Sequence, residues 1–104
     1  MTDARELQFQ KLVQDFPNSP MGHFSLGRHY LEGGRFADAA AALARAVELD
    51  GTYVAAMVAL GDAQVGAGQT AQARETFIRS REIALSQHHE GLAEEIDERL
   101  EDLG

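Results

Sequence analysis

The sequence contains no cysteine and no tryptophan. Without cysteine there is no disulfide framework, no thiolate zinc site and no cysteine nucleophile. A reducing cytoplasm is the compartment expected on that ground. Only two prolines occur, Pro17 and Pro20, so helix-breaking residues of this kind are confined to one short stretch. Alternating runs of β-branched residues are missing, which leaves no candidate strands. No apolar run approaches the roughly 18 residues a membrane helix requires. Residues 1–15 mix charged and apolar side chains and lack the apolar core of a signal peptide. Basic residues are scarce, nine against 17 acidic, for a net charge of -8. Phosphate binding wants a basic face, so neither nucleic acid nor a membrane is an expected partner.

What remains is ordinary for a globular chain: 44% hydrophobic and 25% charged in 104 residues. That length suits a single domain over 1–104. A chain of this size buries roughly 65% of its unfolded surface, enough for a core without staples. The negative charge is concentrated, with seven acidic residues and one basic residue in 88–104. Such a distribution marks one acidic, solvated terminal element rather than a globally acidic surface.

The apolar spacing is helical throughout. Breaks fall at Pro17–Pro20, Gly33–Gly34, Asp50–Thr52, Gly66–Gly68 and near His88–Gly91. They predict six helices, over about 3–15, 20–32, 36–49, 53–66, 70–86 and 89–102. Ser19 suits an N-cap with Pro20 in the first helical position, and Thr70 is placed to cap the fifth helix.

The breaks repeat. A shift of 34 residues aligns 20–53 with 54–87 without a gap, and seven positions become identical. These are Leu26/Leu60, Gly27/Gly61, Gly34/Gly68, Ala37/Ala71, Ala39/Ala73, Arg45/Arg79 and Glu48/Glu82. Leu-Gly falls midway along the first helix, Gly at the turn, and Ala-x-Ala early in the second helix. A 34-residue helix–turn–helix period with these residues resembles the tetratricopeptide repeat family. Residues 20–53 supply His23, Leu26, Gly27, Tyr30, Gly34, Ala39, Leu43 and Ala46 to its pattern. Residues 54–87 supply Met57, Leu60, Gly61, Gln64, Gly68, Ala73, Phe77 and Ser80. Phe9, Leu12 and Pro17 match the end of a preceding repeat that lacks its first helix. The resemblance implies an all-α, TPR-type solenoid of helical hairpins: a half-repeat helix over 3–17, repeats at 20–53 and 54–87, and an acidic capping helix over 88–104.

The physics of the pattern agrees. Gly27 with Ala39, and Gly61 with Ala73, place residues without bulk where two helices of a hairpin cross. Beyond residue 87 the register fails, because the next Leu-Gly slot falls on Glu94–Glu95. Leu92, Ile96, Leu100 and Leu103 form an apolar stripe expected to seal the last hairpin while the acids face water.

No catalytic constellation emerges. Residues 66–71, Gly-Ala-Gly-Gln-Thr-Ala, satisfy a dinucleotide-binding spacing, but they follow a helix, and Gly68 coincides with the repeat turn. His23 occupies the aromatic slot of its repeat and is expected to pack. His88 and His89 lie beside Glu90 without the spacing of a metal site. No carboxylate is forced inward by pattern. The expectation is a non-enzyme with no cofactor and no metal.

A binding surface can be read from spacing. Met21, Phe24, Arg28 and Leu31 recur at intervals of 3, 4 and 3, so they share one helix face. Ala55, Val58, Asp62 and Val65 share the equivalent face 34 residues later. The resemblance implies that these faces line a concave groove for a peptide or partner helix. It makes Met21, Phe24, Arg28, Leu31, Val58, Asp62 and Val65 the candidate binding residues. Arg28 can pair with a carboxylate on a ligand, and Asp62 with a cation or, in an empty groove, with Arg28. The chaperone-tail-binding members carry a clamp of Lys, Arg and Asn on this face. Here the corresponding places hold Phe24, Ser25, Arg28, Val58, Ala59 and Asp62, with no Lys and no Asn. The expected function is a non-catalytic protein-interaction module or scaffold. The alternative is a homo-oligomeric adaptor that associates through the groove or an exposed hairpin face.

Overall fold

In the computed structural model, which describes residues 3–104, local chemistry sets the helix boundaries. The Asp3 carboxylate accepts the Arg5 amide at 2.8 Å and opens α1 (Ala4–Asp15). Ser19 Oγ accepts the Met21 amide at 3.4 Å, and Pro20 begins α2 (Pro20–Glu32). There follow α3 (Phe36–Leu49), α4 (Val54–Gly66), α5 (Thr70–Ser86) and α6 (Glu90–Leu103). No strand occurs among the described residues. The expected cap of α5 is displaced: Gln69, not Thr70, is the N-cap, and it makes no side-chain cap bond. Its own amide is taken by Gln64 O at 2.8 Å, so the turn rather than a side chain sets where α5 starts.

Two kinds of turn join the helices. Between α2 and α3, Gly34 N–H donates to Leu31 O at 3.0 Å and Arg35 N–H to Tyr30 O at 2.9 Å. Gly68 and Gln69 repeat the pattern between α4 and α5. Both turns need a left-handed residue, with φ of 75° at Gly34 and 79° at Gly68. The links from α1 to α2 and from α3 to α4 differ. There Ser19 N–H donates to Phe16 O, and Tyr53 N–H to Asp50 O. Hydrogen bonds from the Thr52 hydroxyl and amide hold the Asp50 carboxyl below its ordinary pKa. The α5–α6 link is of the first kind: His88 N–H donates to Leu85 O, His89 N–H to Ala84 O, and His88 sits at φ 62°.

Close helix crossings fix the hairpins. A Cβ on Gly27 would lie 2.5 Å from Leu43 Cγ, and one on Gly61 would run into the Phe77 ring. Leu43, Ala39, Phe77 and Ala73 are all fully buried at these crossings. One core cluster gathers Ala39, Leu43, Ala59, Leu60 and Ala63 from α3 and α4, with Tyr30 and Leu31 of α2 against it. The other joins Val54 and Val58 of α4, Phe77 and Ala84 of α5, and Ala93 and Ile96 of α6. A side chain buried like Phe77 contributes roughly 1.5–3 kcal/mol.

The stripe on α6 packs as its spacing predicts: Ile96 is fully buried and Leu92, Leu100 and Leu103 close over the second cluster. Polar ties fix it further, with Arg81 Nε donating to Asp97 at 2.6 Å and Arg74 donating to the carbonyls of Leu103 and Gly104. Charge holds α1 instead. Glu6 is only 8% exposed and accepts from Arg35 Nη1 at 2.5 Å, with His29 Nε2 at 3.6 Å. Arg35 also lies over the Tyr30 ring and bonds Asp38. The expectation that no carboxylate turns inward therefore fails at Glu6, whose partner comes from the turn between α2 and α3, 29 residues on.

Candidate functional site

The first helices of the two hairpins, α2 and α4, lie side by side, and α6 continues the row beyond α4. Together they form one concave wall. Phe24, Arg28, Leu31, Val58 and Asp62 meet in a central cleft of about 340 Å³. Met21 lies at the end where the three helices begin, with Tyr53, Ala55 and Leu92. Val65 lies at the opposite end, with Asp102 and Leu103. The end cavities share Ala55 and Leu92, and Asp62 and Arg99, with the central cleft, so the seven candidate residues line three adjoining cavities that together make an open trough.

Their environments differ. Val58 is 8% exposed, a floor residue more than a handle. Phe24 is half-buried, its ring 4.9 Å from that of Tyr53. Met21 is 64% exposed and Val65 41%. Arg28 is exposed, 5.8 Å above the Phe24 ring, and its charge partner is Glu32 at 3.6 Å. An Arg28–Asp62 pair does not form. Asp62 instead takes both bonds of a bidentate contact from Arg99, at 2.8 and 3.2 Å. Geometry explains the exchange: Arg28 has a partner one turn along its own helix, whereas α6 brings Arg99 directly onto Asp62. The hydrogen bond to Asp62, opposed by partial burial and aided by attraction from Asp62, Glu95 and Glu98, holds the Arg99 guanidinium above its ordinary pKa.

Sequence reasoning missed the contribution of α6 to this wall. The apolar stripe accounts for Leu92 only as a seal, and no spacing argument reaches Arg99, yet both line the central cleft. The signal was masked because Arg99 faces Asp62 across 37 residues, not the 34 of the repeat. The register breaks because α5 has 17 residues where α3 has 14, so that α6 begins 36 residues after α4 whereas α4 begins 34 after α2. The trough also runs past α2 onto α1, where Arg5 and Phe9 join Phe24, Ser25, Arg28 and His29. His23 is half-buried, its Nε2 3.0 Å from Pro17 O.

Comparison with known families decides the kinship. Models described as tetratricopeptide repeat match residues 30–89 and 2–54. The chain belongs to the tetratricopeptide repeat family. Among solved structures, the TPR2B-domain:pHsp70 complex of yeast Sti1 superposes with a TM-score of 0.88 at 21% identity, covering 94% of this chain and 78% of that one. The solution structure of protein BPP2914 from Bordetella parapertussis gives 0.83 at 25% identity, covering 98% and 89%. No curated protein matches the sequence. The TPR fold is that of a protein-interaction module, and TPR proteins are in general non-catalytic. No helix among the described residues is long and apolar enough to cross a membrane.

Proposed function

We propose that this TPR chain captures a short segment of a partner protein in the trough formed by α2, α4 and α6. The observation that carries the reading is the alignment of one face from each of three helices into a continuous surface. Its floor is apolar, formed by Phe24, Val58, Ala55 and Leu92, and its walls carry Arg28, Glu32, Asp62 and Arg99. A half-buried aromatic flanked by polar groups is the arrangement that concentrates binding energy in few residues. The yeast Sti1 structure, a TPR2B domain complexed with pHsp70, supports a protein ligand for a fold of this shape. Self-association is the weaker reading, because Glu94, Glu98 and Glu101 are exposed on α6 and would face their own kind in a second copy.

The test is selection of peptides from a random displayed library, followed by binding to a Phe24→Ala, Arg28→Glu double variant. The variant should lose the selected peptides while its helical circular dichroism and melting temperature change little. Retained binding would place the ligand elsewhere, on the convex face or the outer face of α6.

A further inference from the structure

The two walls of the trough carry opposite charge. On the α1–α2 side Arg5, Arg28 and Glu32 line the trough, and beyond Arg5 lie Asp3 and Glu6, the latter held by Arg35. On the α6 side Arg99 is the one cation, bonded to Asp62 and bordered by Glu95, Glu98 and Asp102. Between the walls the floor is uncharged, with Phe24, Val58 and Leu92 at its centre. Glu32 is matched by Arg28 and Glu6 by Arg35, while the α6 side keeps carboxylates that Arg99 alone does not balance. Resting on the groove reading above, we propose that the trough selects an extended segment bearing a carboxylate, then apolar side chains, then a lysine or arginine. The carboxylate sits by Arg28 and Arg5, and the cation sits over α6.

The spacing follows from the fold. Packed helices lie about 8–10 Å apart, so the step from α2 to α6 is roughly 16–20 Å. An extended chain rises about 3.3 Å per residue and turns alternate side chains to the same face. Acid and base should therefore be about six residues apart, with two apolar side chains between them on that face. The acidic wall prefers a cation, and the cationic wall rejects one, so a uniformly charged peptide matches one end and opposes the other.

The probes are three blocked peptides with a common centre: Asp-Ser-Leu-Ser-Leu-Ser-Lys, the same peptide with Asp at both ends, and the same peptide with Lys at both ends. Each is titrated into the full isotope-labelled chain, and amide shifts are followed to millimolar concentration at low salt. The dipolar peptide should bind about fivefold tighter than either uniform one, since an exposed ion pair is worth up to about that factor. Its shifts should fall on α2, α4 and α6, and its advantage should shrink as added salt screens the walls. In Arg28→Glu the order should invert at that end, so that the peptide with two lysines binds best. If a uniform peptide binds the native trough as tightly as the dipolar one, the charge order is wrong and the groove reading stands. If all three leave the trough unshifted, both fall together.

Discussion

At His88 the backbone adopts a conformation otherwise found, among the described residues, at glycine. The three equivalent turns share their hydrogen bonds, and only this one carries a side chain at the left-handed position. An L-residue there costs about 1–2 kcal/mol, against which glycine's extra freedom in the unfolded chain returns about 0.5–1 kcal/mol. The His88→Gly variant should therefore be more stable by about 0.5–1 kcal/mol, a rise of a few degrees in Tm by circular dichroism. Gly34→Ala should move Tm the other way by a similar amount. Equal melting of all three chains would mean that the turn relaxes around either residue.

At the scale of the helix pair, Gly61 and Gly27 are held to glycine by contact. Gly61→Leu would drive its side chain into Phe77, and Gly27→Leu into Leu43, both fully buried. Overpacking of this kind typically costs about 1–3 kcal/mol, a large share of a small domain's stability. Gly91→Ala is the control, since nothing lies within 4 Å of the added methyl and alanine favours helix. Urea midpoints should fall sharply for the two leucine variants and hold or rise for the control. These crossings were legible in the sequence because Leu-Gly and Ala-x-Ala return at a fixed period. The helix limits were legible for the same reason. The pairing of Asp62 with Arg99 was not, because the longer α5 shifts α6 out of that period. Nor was the burial of Glu6, which depends on where the chain brings Arg35.

For the molecule as a whole, contacts run between neighbours along a row of helices 37 Å in its longest extent. Stability in such a row is close to a sum over adjacent interfaces. Removing residues 88–104 should therefore uncover Val58, Phe77 and Ala84 while leaving the α2–α3 hairpin in place. Light scattering should show dimers or larger species, and the melt should lose cooperativity. A monomeric truncation with an unchanged melt would reduce α6 to a tail. At the other end, α1 belongs to neither core cluster and packs on α2 and the turn after it, through Phe9, Leu12 and the Glu6 contacts with His29 and Arg35. Its local opening therefore costs less than global unfolding and leaves both cores intact. Because Arg5 and Phe9 border the trough, that opening makes one rim a hinged margin, able to fray and re-form while the floor beneath it stays rigid.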